Sequence, residues 1–591
     1  MDNMGLMDPM AALQSVHDVH RVHNVHVAPG LPKTDAREVA MPDAAHVKHF
    51  RQIVVWPLYL LPLKEGVQIQ NHWEHLTPSA AGNPWREPAG HFTSDSAAFQ
   101  ERHYNEFVTF LPSVQRFLYG QPAEAPVRRS LGESPIKIMR RTDIAKARVT
   151  LNRGGEPWLF DVARVDLYFF FDIDIVMLVL EVFSDDMPLA VAQDMMFRSG
   201  RAYPAYWEAD GRGGHCPWRV EWLGTGGEVL AVSDYEEREK YLAFVRHRRE
   251  PCVAAHWTWL LRPLVPHHSD EQGLIRYRQL EYYRMPRMAY LAMDDMTKVT
   301  RADYVRLAFA DGPGDPHTLP LSESYLKDFE QRYCYDRQHE PRTAADRTSA
   351  RYLCCGDVLT VVGEARNRFF ADPDGGALSR FRHQHFLLFL IAHFHKAVLR
   401  MLSDRFGAAV GQLDIDDPSS VRNFRRDTRQ EMEIFLRFTH RYWFHEASRH
   451  TQAKELFDLC RKHLELDAHY EEIREEVQDM SHYLDIDAFR RQSNTMVRLT
   501  VVTIFGLVGT VTTGFLGMNL IAAADWSMEW KAAFFLGVPI PTAALTLYTV
   551  VKSRRLSEFL DALSDERVSA AATLRALLAV WHRKQRAARG P

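Results

Sequence analysis

The chain has 591 residues, 46% of them hydrophobic, and 72 Lys and Arg against 76 Asp and Glu give a formal net charge of −4. That balance excludes the basic excess of a dedicated nucleic-acid binder, and the apolar fraction excludes a chain disordered throughout. Six cysteines, none in a CxxC pair, exclude a disulfide scaffold or a zinc ribbon. The mean hydropathy of −0.30 describes a large soluble protein of about three to four domains' length.

Residues 1–48 carry few large aliphatics in any periodic arrangement and read as a mobile leader. They lack the apolar run of a secretory signal. Within them VHDVHRVHNVHV places His17, His20, His23 and His26 at steps of three. Neutral imidazoles ligate Zn²⁺, Cu²⁺, Ni²⁺ or Co²⁺, so the run is a candidate metal site. A biased leader without metal gives the same pattern.

Residues 49–370 have the pattern of a mixed domain, α+β with α/β-type segments. Trp158–Phe183 reads as two adjacent strands broken near Asp172–Asp174, followed by a helix opened by Pro188 and running to Arg198. Arg276–Met293 and Arg351–Gly363 read as further strands, with a helix between Thr300 and Ala310. Paired glycines such as Gly213-Gly214 lack the lysine and helix of a phosphate loop. No nucleophile, base and orienting group can be recognised together, so no enzymatic activity is expected.

Only Pro539, Pro541 and Pro591 of the 30 prolines lie beyond Pro418, and glycine is missing from Gln412 to Phe505. Turns need such residues, so 371–496 is expected to form long helices, a hairpin and a stalk. Ile473, Val477, Met480 and Leu484 form an apolar stripe at helical spacing. Phe381–Phe406 is apolar but interrupted by His383, His385, His393, His395 and Lys396, which makes it a core helix rather than a membrane span.

The soluble average fails near the end. Leu499–Ala524 is 26 residues without charge or histidine, and Ala532–Val551 is 20 more. About 20 apolar residues cross a bilayer as a helix, so 497–551 is expected to be a two-span hairpin. Arg490, Arg491 and Arg498 precede the pair and Lys552, Arg554 and Arg555 follow it. Basic flanks favour the cytoplasmic side, which places both termini there and the connection, with Asp525 and Glu529, outside. Residues 552–591 then suggest an amphipathic cytoplasmic tail.

The first run closes on Gly517-Met518-Asn519, with Asn494, Met496, Leu499-Thr500, Thr503-Ile504-Phe505 and Gly514 before it. On these residues the sequence resembles the CorA family of magnesium and divalent-cation transport proteins over about 380–555. The resemblance implies a homopentamer in the inner (plasma) membrane, with the first span of each copy lining a pore for hydrated Mg²⁺, gated by the cytoplasmic domain. Met496, Leu499, Thr503, Leu507, Thr510 and Gly514 recur at steps of three or four and are the candidate pore face. The same spacing serves an ordinary helix seam. Leu499 and Leu507 can close a pore by dewetting, and Thr503 and Thr510 can bond an ion's water.

Asn519 suits the outer mouth, because neutral amide oxygens accept hydrogen bonds from the waters Mg²⁺ keeps. Gly517 permits close approach and Met518 packs, while Asp525 and Glu529 would attract cations. The expected partners are divalent cations, lipid and further copies of the chain, without a covalent cofactor. Zinc or cobalt transport is an alternative within the class, and a non-conducting membrane-anchored metal sensor or scaffold is one outside it. The acidic groups Asp172/Asp174, Asp185/Asp186, Asp294/Asp295 and Asp414/Asp416/Asp417 are candidates for a regulatory Mg²⁺. This chain departs from the family in lacking a proline near the middle of the first span, and in its longer domain and tail.

Overall fold

The computed structural model describes residues 45–61, 72–76, 83–88, 101–120, 135–271, 273, 275–280, 284–338, 349–414, 417–518, 526–537, 540–541 and 544. The leader histidines His17, His20, His23 and His26, together with Asn519, Asp525 and the tail 552–591, lie outside the described residues.

A single mixed sheet organises the described residues. Its main path runs Cys334–Gln338, Ala350–Cys354, Val358–Glu364, Arg287–Met293, His46–Leu61, Ile173–Pro188, Trp158–Phe170, Ile144–Thr150, Arg219–Gly224, Val229–Val232. Along this path Arg287–Met293 and Val358–Glu364 are parallel and the remaining neighbours antiparallel. The α+β class read from the sequence is the class observed.

The two central strands explain the layering. In His46–Leu61, Val54, Trp56, Leu58 and Leu60 point into one hydrophobic cluster, and Ile53, Val55 and Tyr59 into the other. In Ile173–Pro188, Val176, Leu178, Leu180 and Val182 alternate in the same way with Ile175, Met177 and Val179. Strands buried on both faces read as continuous apolar runs, and both faces here take helices. The first face takes Leu189–Arg198, Ala255–Leu261, Arg301–Phe309 and Glu323–Tyr333. The second takes Pro112–Tyr119, Phe386–Gly411, Pro418–Arg441, Thr451–His463 and the start of Leu466–Met518. Helices that follow residue 371 therefore share one core with strands that precede it.

Several local expectations hold closely. The hairpin turns at Phe171-Asp172, with Asp172 left-handed at φ 59. Arg301–Phe309 is capped by Thr300, whose hydroxyl accepts from the Asp303 amide while Asp303 answers to the Thr300 amide. Pro188 ends its strand and serves as N-cap of Leu189–Arg198 instead of entering the helix. The stretch Arg276–Met293 divides into Arg276–Gln279 and Arg287–Met293. The 16-residue strand His46–Leu61 has no counterpart in the sequence reading.

Among the described residues one helical stretch, Ala377–Gly411, is long and apolar enough to cross a membrane, and 89% of its most apolar window is buried inside the protein. It is the core helix expected. His393 and His395 lie wholly inside: His393 Nε2 is 3.2 Å from the Gly356 carbonyl and His395 Nε2 is 2.6 Å from the Tyr442 carbonyl.

Candidate conduction helix

Leu466–Met518 is one helix of 53 residues, about 80 Å long at ~1.5 Å per residue. Its first turns are anchored. Leu466 and Ile473 are buried in the second cluster, and Val477 and Met480 pack against it. Pro418–Arg441 lies antiparallel along this segment, as three contacts show. Phe435 meets Tyr470 with ring centroids 5.7 Å apart, Phe424 meets Tyr483 at 5.8 Å, and Arg425 Nη1 reaches Asp487 Oδ2 at 3.5 Å. Trp443 stacks on Tyr470 at 4.5 Å.

Beyond that point the helix leaves its packing. From Ala488 to Thr500 every described side chain except Val497 is exposed. All six candidate pore residues lie on this free part. At about 100° per residue they fall within an arc of about 80°. Met496, Leu499 and Leu507 are 64%, 62% and 64% exposed, and Thr503, Thr510 and Gly514 are exposed as well. The covered positions, Val497, Val501, Val502 and Gly509, lie on the other side of the helix. Gly517 and Met518 form its last turn.

The threonines make a more specific arrangement than their spacing indicated. Thr503 Oγ1 donates to the Leu499 carbonyl at 2.8 Å and Thr510 Oγ1 to the Gly506 carbonyl at 2.9 Å. With its proton committed inward, each hydroxyl presents lone pairs outward. Waters around a cation point their protons outward, so these oxygens are acceptors of matching polarity.

Glu529 is exposed in the first turn of the helix Met528–Gly537, where a carboxylate also favours the helix dipole. Glu529 and Lys531, read from the sequence as part of the connection, are helical. Trp526 and Trp530, at its start, are 47% and 69% exposed.

Asp172, Asp174, Asp185, Asp186, Asp294, Asp295 and Asp417, candidates from the sequence for a cation site, have partners within the chain. Asp174 is buried and pairs with Arg405, and His72 Nε2 stands 3.4 Å away. Asp172 is 3.5 Å from Arg437, and its burial pushes its carboxyl upward. Asp185 meets His49, and Asp186 meets Lys48 at 2.8 Å. Asp294 lies 3.6 Å from Arg366, whereas Asp295 and Asp417 cap helices by accepting from the Thr297 and Ser419 amides. Asp416 is outside the described residues.

Two buried charge clusters, not anticipated from the sequence, join the layers. Glu181, fully buried, is met by Arg51 at 2.5 Å, Arg164 at 2.7 Å and Arg382 at 2.8 Å. Although burial alone would raise its carboxyl, the three guanidiniums hold it down at about 2. Arg405, on the core helix, joins Asp174 to Glu431 at 3.1 Å and donates to the Tyr59 hydroxyl at 3.0 Å. Arg164 faces Glu181 across neighbouring strands of one hairpin, but Arg382 reaches Glu181 and Arg405 reaches Asp174 over more than 200 residues of chain, which leaves no local signal.

Comparison with protein-family models, with curated proteins and with solved structures found no match for this chain. The class defined by its own geometry is a mixed α+β protein with one long helix projecting from the packed body.

Proposed function

We propose that the chain is a membrane channel for hydrated divalent cations, Mg²⁺ first among them, with several copies arranged around one pore. The observation that carries this reading is the free part of Leu466–Met518, an exposed strip of alternating apolar and hydroxyl side chains leading to Gly517-Met518-Asn519. An isolated soluble helix exposing Met496, Leu499, Ile504 and Leu507 in water would forfeit on the order of 1.5–3 kcal/mol per large side chain. Neighbouring copies packed around a common axis would draw Met496, Leu499 and Leu507 together, and a bilayer would cover the outer side of the assembly. The exposed Trp526 and Trp530 suit a membrane–water interface.

In this reading Leu499 and Leu507 form apolar rings, Thr503 and Thr510 form acceptor rings, and Asn519 receives the hydrated ion. Mg²⁺ dehydrates reluctantly, so neutral acceptors that bind its waters allow both entry and release. About 20 residues suffice for the ~30 Å hydrocarbon core, leaving the first part of the helix to couple the soluble body to the pore. Both termini are assigned to the cytoplasmic side. A pentamer follows the family resemblance.

The test is uptake of Mg²⁺ into proteoliposomes by the full chain. Uptake that collapses in Asn519→Ala supports a channel, and parent uptake no greater than that of empty vesicles overturns it in favour of a membrane-anchored scaffold. Competition by Co²⁺, Ni²⁺ and Zn²⁺ in the same assay identifies the preferred ion.

A further inference from the structure

The helix Arg238–Arg248 ends on Arg249, whose left-handed φ of 57 turns the chain so that Glu250 faces the segment after Val265–Pro266. There Glu250 Oε2 lies 3.0 Å from His267 Nε2 and 3.7 Å from His268 Nδ1. All three ligand atoms lie within 4.8 Å of one another. With metal–ligand bonds of ~2.0–2.1 Å, a tetrahedral zinc site separates its ligand atoms by roughly 3.4 Å. The observed spacings straddle that value before any metal is bound.

The surroundings have the character of a built site. His267 donates its backbone N–H to the Tyr277 carbonyl at 2.9 Å, and Arg276 Nη1 donates to the carbonyls of His267 at 3.0 Å and Ser269 at 2.7 Å. The backbone carrying both imidazoles is thus fixed by the neighbouring strand. Phe244 meets the His268 ring edge-on at 4.5 Å. His268 Nδ1 is buried without a hydrogen-bond partner. The three side chains help line a small cleft of ≈ 10 Å³. Three cations stand nearby: Arg248, 4.0 Å from Asp270, Arg276, engaged with the turn carbonyls, and Arg278, which lines the same cleft and pairs with Asp404.

We propose that Glu250, His267 and His268 bind a first-row transition-metal ion of the Zn²⁺ class, with water in the fourth position. Two imidazole nitrogens and one carboxylate favour Zn²⁺, Ni²⁺, Co²⁺ or Cu²⁺ over Mg²⁺, which prefers an octahedral oxygen shell. To ligate, His267 must present the lone pair of the Nε2 that now faces Glu250 Oε2 at 3.0 Å. The site is independent of the conduction reading, because it stands on the soluble body and none of its residues lies on the long helix.

The experiment is a Zn²⁺ titration of the full-length protein against a competing chelator, comparing the parent with Glu250→Gln, His267→Ala and His268→Ala. The leader histidines and the pore are common to all four proteins and cancel. One equivalent is expected to weaken by ~100-fold or more in each variant, beyond the ~10–100-fold typical for loss of an outer-shell partner. Unchanged stoichiometry and affinity in variants whose metal-free unfolding matches the parent would overturn the site. Glu250→Gln preserves shape, and His268→Ala provides a second test should one variant fail to fold. Displacement of Zn²⁺ by equimolar Mg²⁺ would overturn the assigned class.

Discussion

Arg382 Nε lies 2.8 Å from Glu181 Oε1, and this contact ties a π-helical turn, Phe381–His385, to a central strand of the sheet. Glu181 is fully buried and also answers Arg51 and Arg164. Replacing it leaves three guanidiniums clustered without their anion. Glu181→Gln is expected to destabilise the body by about 3–5 kcal/mol, read as a lower denaturation midpoint. A midpoint equal to the parent's would show that the cluster is solvated.

The same residue predicts an acid dependence. Its carboxyl sits at about 2 in the folded protein against an ordinary 4.5. A depressed folded value stabilises fully above 4.5, and that contribution is lost as pH falls towards 2. The amount is on the order of 3 kcal/mol. Unfolding followed between those limits should decline less steeply in Glu181→Gln than in the parent.

Three core histidines act in a higher pH window. Burial lowers His385, His393 and His395 from 6.5 to about 3. Between these values the unfolded chain binds protons that the folded chain refuses. Stability is therefore full above 6.5 and falls as pH drops towards 3, by about 1.4 kcal/mol per pH unit for each histidine. His395→Gln should remove roughly a third of that slope, as measured by denaturant unfolding at stepped pH. An unchanged slope would mean that His395 titrates normally.

Arg405 serves two carboxylates on different elements, Asp174 beside the hairpin turn and Glu431 on Pro418–Arg441. Arg405→Met would leave both buried without their cation. A loss of about 3–5 kcal/mol is expected. The double variant Arg405→Met/Glu431→Leu should recover part of it, since one orphaned carboxylate is then removed; a purely additive loss would argue against coupling.

The exposed face of the long helix is open to chemical mapping. In membranes, cysteines introduced at Thr503 and Thr510 are expected to react with small water-soluble thiol reagents, and a cysteine at Val501 to react far more slowly. Val501 is 8% exposed and lies on the opposite side of the helix. Equal reactivity at all three positions, or reaction at Val501 alone, contradicts a water-filled path along the proposed face.

Local chemistry made much of the architecture legible. The Trp158–Phe183 hairpin, the Thr300-capped helix and the stripe from Ile473 to Met480 each follow from a period of two or of 3.6, read over a short window. The strand His46–Leu61 leaves no readable pattern in the sequence, for a definable reason. Both its faces are buried, so it offers no polar alternation, and His46, Lys48, His49 and Arg51 at its start hide a strand whose partners are acidic residues far along the chain.

For the candidate sites the division is similar. Sequence alone determined the Gly517-Met518-Asn519 ending, the uncharged runs and the residues sharing one helical face, because these depend only on neighbours in the chain. Tertiary structure decided which charges are available. It gave Asp174 to Arg405 and Glu181 to three arginines, and it joined Glu250 to His267 and His268 across an intervening helix and strand. Such groupings depend on how strands and helices close in space, over separations that no periodicity records.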